Sequence, residues 1–348
     1  MKISALLVGF GNVGQAFAGL LPQKQSFLRE RFGVDLRIVG AVDSGNENGY
    51  GSAYSAIGLD SLTLLDVKRK SGSVSAYPSA GCRDSVFDLI KNSEADMLLE
   101  MTPTNLDNGE PGLSYVRAAL ERGMHVVTSN KGPLVFGWNE SRRIARSKGV
   151  EFRFGAAVAG ALPVIPTGYY SLMGSEVSSI QGILNGTTNY ILTQMEQKGM
   201  TMKDALTEAQ RRGIAETNPR LDVEGFDTAF KLLIATNAIM GADAKLSDIQ
   251  IQGIQNVSME QVRAANEKGN TLKLIGRAAR VDSSIEMKVG VEEIDANHPF
   301  RWVSGVWKSV LFNTDLLGEV LVTGGASSPK LTAGAILRDV LNVVHDAR

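Results

Sequence analysis

Glu216, Asp222, Glu224, Asp227 and Lys231 crowd the stretch from Ala209 to Lys231, AQRRGIAETNPRLDVEGFDTAFK, around Asn218-Pro219. The residue pattern predicts a helix ending at Arg211-Arg212-Gly213 and another opening near Phe226. Asp227 and Lys231 stand four apart on that second helix, so both side chains leave one face. A carboxylate beside an ammonium orients a proton donor and tunes its proton affinity. Read alone, the segment is better explained as a solvated loop followed by an ordinary helix ion pair, worth a few tenths of a kcal/mol. The company it keeps elsewhere in the chain changes that reading.

Gly9-Phe10-Gly11-Asn12-Val13-Gly14 follows an apolar run and opens a predicted helix. Glycines there permit a tight turn, a close backbone approach to a pyrophosphate, and helix–strand packing, while the helix amides face the phosphates. The pattern is weak alone and much stronger between a strand and a helix. Asp43 ends the next predicted strand, where an acidic residue commonly bonds the adenosine ribose and favours NAD. Its spacing from Gly14 exceeds the usual one because the first helix is extended. Lys68 and Arg69, which read first as a solvated helix face, would alternatively meet a 2′-phosphate; NAD and NADP both stay open.

His125-Val126-Val127-Thr128-Ser129-Asn130-Lys131-Gly132-Pro133 is a buried strand ending in a polar turn with one lysine. In an open parallel sheet, ligands bind beyond the carboxyl ends of the strands, so Lys131 faces the cofactor crevice rather than bulk water. Thr102-Pro103-Thr104 ends the preceding strand and belongs beside it. Gly182-Ile183-Leu184-Asn185-Gly186-Thr187-Thr188 is an apolar strand entering an Asn-Gly turn, with Thr187 or Thr188 capping the next helix. Free amides at that helix start suit a substrate carboxylate; a capped turn without ligand explains the same residues equally well.

The elements that position these groups alternate. Strands are predicted at Ile3–Val8, Leu36–Val42, Met97–Leu99 and His125–Val127, with helices at Asn12–Arg31, Leu62–Lys70 and Tyr115–Arg122. A Gly/Ser/Asn-rich connection runs from Ser44 to Ile57. This order predicts an α/β, Rossmann-type, doubly wound parallel sheet with helices on both faces. A helix at Asn139–Lys148 leads to a strand around Val150–Phe154; beyond lie a strand at Val177–Leu184 and helices at Tyr190–Lys198, Met202–Arg212 and Phe226–Met240. A strand pair follows at Thr271–Val281 and Ile285–Glu292, then an amphipathic helix at Leu331–Val344. The expected division is a dinucleotide-binding domain at 1–137, completed by a C-terminal helix at 325–348, and a second α+β domain at 138–324.

Composition agrees and narrows the function. The 348 residues exceed the ~150 typical of one domain. A hydrophobic fraction of 43%, a charged fraction of 21% and a net charge of −1 describe a globular protein with nothing to favour nucleic acid or an anionic membrane. The single cysteine, Cys82, in the Gly- and Ser-rich Ser79–Ser85 connection, excludes an internal disulfide and a cysteine metal cluster. Histidine is limited to His125, His298 and His345, so lysine or a carboxylate must carry any proton transfer. Lys2 before the apolar Ile3–Phe10 run faintly resembles a secretory signal, but Gly9, Gly11, Asn12 and Gly14 interrupt it and no cleavage site follows. No run is long enough to span a bilayer, and a cytosolic protein is expected.

Taken together, these segments resemble the homoserine dehydrogenases. The family's long signature is matched by Ala209, Gly213, Asn218, Pro219, Asp222, Gly225, Asp227 and Lys231, and the GILNGTTNYIL and VVTSNKGPL runs also look like family motifs. The resemblance covers Met1 to Val344. It implies NAD(P)-dependent interconversion of L-homoserine and L-aspartate 4-semialdehyde, in the biosynthesis of threonine, methionine and isoleucine, by a homodimer whose second domain carries catalysis and dimerisation. It further implies that Lys131 and Lys231 are paired active-site lysines, that Asp227 positions Lys231, and that Glu216 and Asp222 hold the substrate's ammonium and hydroxyl. Gly186 and Thr187 resemble the pocket wall; Phe10, Asn12, Val13, Thr102 and Ser129, with Gly9, Gly11 and Gly14, resemble cofactor-lining positions. Two ammonium groups close together repel, so one gives up its proton near neutrality and the other stabilises an oxyanion. Lys231 is assigned the donor role and Lys131 the stabilising one, though the sequence leaves the reverse order open.

The chain departs from the family in places. Family members often bind a monovalent cation, sodium or potassium, through carbonyls that map to Val158, Gly160 and Leu162. Gly155 stands where Glu is common before that segment, and Ile214 where an aromatic is frequent. Gly324-Gly325-Ala326-Ser327 partly matches the glycine-rich segment that closes over the nicotinamide. With the chain running from Met1 to little beyond Val344, neither an aspartate kinase portion nor a regulatory domain is expected, and so no feedback control through one. Two other functions compete. An aspartate-semialdehyde dehydrogenase needs a thiolate, and Cys82 has no histidine motif nearby. A nucleotide sensor without catalysis leaves Glu216, Asp227, Lys131 and Lys231 without a reason to occur together.

Overall fold

The structure, a computed structural model, describes residues 1–45, 51–82 and 84–346. Residues 46–50 of the Ser44–Ile57 connection, residue 83 of the Ser79–Ser85 connection, and 347–348 lie outside the described residues. The chain divides into two units, Met1–Ala157 with Ser328–Arg348, and Val158–Ser327.

In the first unit, β1 (Lys2–Val8) is buried from Ala5 onward because both faces of the sheet are covered. It feeds α1 (Asn12–Phe32), which ends at Gly33 in the left-handed conformation. Then come β2 (Asp35–Asp43), β3 (Gly51–Tyr54), α2 (Ser61–Ser71), β4 (Gly81–Cys82), α3 (Val86–Asn92), β5 (Met97–Glu100), α4 (Gly112–Arg122), β6 (His125–Thr128), α5 (Gly132–Phe136), α6 (Trp138–Lys148) and β7 (Phe152–Arg153). The sheet order is β4-β3-β2-β1-β5-β6-β7. The five strands from β2 to β7 in that order are parallel, while β3 and β4 join antiparallel at one edge. The expected parallel sheet therefore gains two antiparallel edge strands: β3 follows β2 too closely for a parallel crossover, which needs a dozen residues or more, whereas β4 pairs with β3 after a segment that contains α2. The C-terminal helix Pro329–Asp346 returns to this unit. Its Ala333, Ile336, Val340, Val343 and Val344 share one core with Phe17, Leu21 and Leu28 of α1 and with Leu36 and Ile38 of β2. Residues 138–157, read from the sequence as the start of the second domain, belong here: β7 pairs with β6, so cutting at 137 would remove an outer strand.

The second unit contains the short turn α7 (Val164–Pro166), β8 (Val177–Ile183), α8 (Gly186–Lys198), α9 (Met202–Arg211), α10 (Arg220–Val223), α11 (Phe226–Ile239), β9 (Ile249–Ile251), α12 (Met259–Glu267), β10 (Thr271–Val281), β11 (Ser284–Ile294), β12 (Lys308–Thr314) and β13 (Gly318–Gly324). Its sheet order is β13-β12-β8-β10-β11-β9, antiparallel except for β9 beside β11. α11 is mostly apolar, with Ala229, Phe230, Leu232, Leu233, Ile234 and Ala235 buried, and Asp227 and Lys231 are its only charged residues. No helix among the described residues is long and apolar enough to cross a membrane.

Candidate functional site

The turn between β1 and α1 is shaped for a phosphate. Gly9 sits at φ 98°, and a Cβ there would lie 2.4 Å from the Met101 carbonyl group, so only glycine fits. The backbone amides of Gly9 and Phe10 both donate to the Val42 carbonyl at 3.0 Å, which ties the turn to β2. A Cβ on Gly14 would lie 2.4 Å from the Gly9 oxygen, so helix and turn touch backbone to backbone. Gly11 has open space where its Cβ would be, and α1 begins without a side-chain cap. An exposed, uncapped helix start with room beside Gly11 fits a dinucleotide pyrophosphate. Asn12 is exposed there, Val13 half-buried and Phe10 buried.

Asp43 is buried at the end of β2, and its carboxylate is filled. Oδ1 accepts from the amide of Gly45 (2.9 Å) and the Ser73 hydroxyl (3.1 Å); Oδ2 accepts from Lys68 Nζ (2.8 Å) and the amide of Val74 (2.9 Å). Four donors satisfy the four lone-pair sites of a carboxylate, so a ribose hydroxyl would have to displace one of them. Lys68, read from the sequence as a solvated helix residue, is instead this carboxylate's partner.

The turns after β5 and β6 are joined by Glu100, which is fully buried. Its Oε1 accepts from the Thr102 amide (2.9 Å), the Thr102 hydroxyl and Asn130 Nδ2 (3.3 Å), and its Oε2 from the Thr128 hydroxyl (2.6 Å). Burial pushes the Glu100 carboxyl up, and these hydrogen bonds pull it back. Asn130 in turn accepts from the amide of Gly132 (2.9 Å), the amide of Ser129 donates to the Glu100 carbonyl (3.1 Å), and the amide of Lys131 donates to the Thr104 hydroxyl (3.3 Å). One carboxylate thus fixes the backbone around Thr102, Ser129 and Lys131. The sequence reading gave Glu100 no role; the signal was an acidic residue closing a strand, MLLE, otherwise entirely apolar.

In the second unit, Lys231 Nζ donates to Asp227 Oδ2 (2.5 Å) and to the Leu184 carbonyl (3.0 Å). Asn185 Nδ2 donates to Asp227 Oδ2 (2.8 Å) and to Asp222 Oδ1 (2.7 Å), while its Oδ1 accepts from the amide of Thr188 (2.9 Å) as the N-cap of α8. Gly225, at φ 89°, makes the turn from α10 into α11 and so lets Asp222 and Asp227 share Asn185. Burial pushes the Asp222 carboxyl up, with the Asp227 charge adding to it; Lys231, Asn185 and Thr187 oppose the rise. Thr187 also donates to the Ile214 carbonyl (3.0 Å), and a Cβ on Gly186 would lie 2.8 Å from the Val306 oxygen. Asp222, Asp227, Lys231, Gly186 and Thr187 therefore gather at the mouth of α8. Glu216 is exposed in the segment between α9 and α10, where its carbonyl accepts from Gln210 Nε2 (3.1 Å), and no described side-chain contact joins it to the cluster. Asn185 lay inside a motif the sequence singled out, yet its bridging of two carboxylates did not emerge from the motif.

Two loops of the same unit meet nearby in the fold. Ala159 and Gly160 are both left-handed, at φ 60° and 64°, and a Cβ on Gly325 would lie 2.9 Å from the Leu162 nitrogen. Gly324, at φ 138°, has open space around it. Lys308, the first residue of β12 and 1% exposed, donates from Nζ to the Ala159 carbonyl (2.7 Å) and the Ser327 hydroxyl (2.9 Å). Burial pushes its amine down to about 7; the Lys231 ammonium acts in the same direction and Asp227 against it. The monovalent cation expected at Val158, Gly160 and Leu162 does not fit this arrangement. An ammonium already stands against the loop, and the Leu162 carbonyl accepts from the amide of Val164 (2.8 Å). In the first unit, the space a side chain at Gly155 would enter is taken by the Asp339 carboxylate, 2.7 Å from the Cβ position.

The comparisons agree with one another. The family model described as homoserine dehydrogenase matches residues 163–341, and the one described as homoserine dehydrogenase, NAD binding domain, matches residues 9–155. A homoserine dehydrogenase of Methanocaldococcus jannaschii is 39% identical over 343 residues, covering 99% of each chain. An NAD(+)-dependent homoserine dehydrogenase of Pseudomonas canavaninivorans is 36% identical, over 98% of this chain and 96% of its own. The crystal structure of a putative homoserine dehydrogenase from Archaeoglobus fulgidus superimposes with a TM-score of 0.87 at 33% identity, over 98% of this chain and 99% of that one.

Proposed function

The chain belongs to the homoserine dehydrogenase family of NAD(P)-dependent oxidoreductases, and we propose that its two units divide the reaction between them. The first unit binds the dinucleotide through Gly9, Phe10, Gly11, Asn12, Val13 and Gly14, with Thr102 and Ser129 lining the nicotinamide side. The second binds L-aspartate 4-semialdehyde or L-homoserine. The nicotinamide, when bound, supplies hydride to the aldehyde carbon or takes it from the alcohol. Lys231 Nζ gives its proton to the oxygen that becomes the hydroxyl, and takes it back in the reverse direction. Two of its three N–H groups hold Asp227 and the Leu184 carbonyl, which leaves the third for the substrate oxygen. Lys131 stabilises the developing alkoxide. Glu216 and Asp222 take the substrate's ammonium and hydroxyl, and Gly186 and Thr187 wall the pocket; Gly324 and Gly325 close over the nicotinamide.

The observation that carries these roles is the Asp227–Lys231–Leu184 arrangement, an ammonium held by two acceptors on a largely buried helix that carries no other charge. Lys231→Ala is expected to lower kcat by ~10²-fold or more while nucleotide affinity stays near that of the parent. Oxidation of homoserine, followed by the near-ultraviolet absorbance of the reduced nicotinamide, measures it; full activity in the variant would remove Lys231 from the mechanism. A homodimer acting in the cytosol is part of this proposal. Exposed Trp302, Trp307, Leu316, Leu317 and Leu321 of the second unit support self-association there, which sedimentation of the purified protein tests.

A further inference from the structure

We infer that the Lys308 ammonium takes the place of a monovalent cation at the 158–162 turn, so that this chain carries its own cation and has no need of sodium or potassium. The inference rests on family membership and not on the roles given to Lys131 and Lys231.

A buried ammonium is costly unless oxygens surround it. Lys308 meets that demand with the Ala159 carbonyl and the Ser327 hydroxyl, one from each of two loops. An alkali ion asks the same of a site, namely inward-facing oxygens at short range. The turn it would occupy is the one that Lys308 already holds. Ala159, a residue with a Cβ, sits at φ 60°, a conformation that persists only when its surroundings fix it. Its carbonyl accepts from Lys308 Nζ at 2.7 Å and from the Leu162 amide at 3.4 Å, and the Leu162 carbonyl accepts from the amide of Val164. Gly325 packs its backbone against Leu162, so the ammonium and the glycine together join the 324–327 loop to the 158–162 turn.

Charge also disfavours a second cation. Lys308 and Lys231 repel one another, and Asp227, which attracts both, is already hydrogen-bonded to Lys231 and Asn185. A free ion would join two ammonium groups with no further carboxylate supplied by the turn itself: residues 156–162 are AAVAGAL.

The experiment compares sodium, potassium and choline chlorides at equal ionic strength and about pH 6, reading the melting temperature of the substrate-free protein and, separately, the rate of homoserine oxidation. A specifically bound ion would raise the melting temperature by several degrees at concentrations well above its Kd. The native chain is expected to give the same melting temperature and the same rate in all three salts. Lys308→Met is expected to melt earlier in choline and to recover selectively in sodium or potassium, whereas Lys308→Arg stays indifferent to the salt. A saturable rise with sodium or potassium in the native chain overturns the inference, and that arm decides it even if Lys308→Met does not fold. A folded Lys308→Met as stable as the parent in choline overturns it as well. Absence of turnover in every salt would count against the assigned reaction and would leave the melting comparison to judge Lys308.

Discussion

Asp339 offers a sharp test of the electrostatics inside the first unit. It lies on the C-terminal helix, 2% exposed, with Arg338 Nε 3.7 Å from its Oδ1. Burial pushes its carboxyl up from the ordinary 3.8 to about 6, against the pull of Arg338 and of hydrogen bonds from the amides of Gly155 and Ala156. The folded protein therefore holds this proton more tightly than the unfolded chain does. The stability it contributes is complete below about pH 4 and is lost as the pH rises through about 6. About two powers of ten in proton affinity correspond to ~3 kcal/mol. Asp339→Asn keeps the shape and the acceptor while removing the charge. Wild type and variant should unfold at the same urea concentration near pH 4, and near pH 8 the variant should be more stable by up to ~3 kcal/mol. Urea titrations followed through Trp138, the tryptophan of this unit, read the difference. A variant whose stability changes with pH just as the parent's does, or one that is weaker near pH 8, would refute the reasoning.

Three further outcomes are expected. Asn185→Ala should lose ~1 kcal/mol through the missing helix cap and, with Asp222 and Asp227 no longer bridged, ~10²-fold in kcat. Asn185→Asp should keep the cap but not the rate, and steady-state kinetics beside thermal melts separate the two effects. Gly9→Ala combines a left-handed backbone with a collision against the Met101 carbonyl, so nucleotide affinity should fall at least tenfold in a fluorescence titration, ~1.4 kcal/mol; an unchanged Kd would mean that the turn does not cradle the nucleotide. Asp43→Ala should weaken NAD more than NADP, because it frees the Lys68 ammonium for a phosphate; equal losses for the two nucleotides would show that neither residue reads the ribose.

Much of the fold was legible because period and punctuation agree in this chain. Val8 into Gly9, and Glu100 into the Thr102 turn, are apolar strands ended by turn chemistry, and parallel strands buried on both faces leave few other readings. The hairpin of β12 and β13 is hidden in the sequence because it begins with a lysine and carries Asn313, Thr314, Asp315 and Glu319, which read as surface. α3 and α12 are short, yet each opens with a capping box that the sequence carries, Ser85 with Asp88 and Ser258 with Gln261. At the candidate site, the Asp227–Lys231 spacing is local and could be read directly. The partners that fix it are not local: Asn185 reaches Asp227 from 42 positions away, and Lys308 reaches Ala159 from 149. Such distances are closed by folding alone, and a charged residue such as Lys308 gives no sign in sequence that loops will bury it. Asp43 shows the converse, since its place at a strand end is evident in sequence but three of the four donors that fill it, on Lys68, Ser73 and Val74, lie 25 to 31 positions away.

The return of Pro329–Asp346 to the first unit has a bearing on how this protein is made. That helix supplies Ala333, Ile336, Val340, Val343 and Val344 to a core whose other members were all translated before Val158. On the ribosome, the nucleotide-binding half must wait with an apolar face bare while the whole of Val158–Ser327, an uninterrupted segment, is synthesised and free to close on itself. The inserted half is thus the one able to finish first, and the nucleotide-binding half becomes a finished domain only after the codons of Pro329–Asp346 have been read.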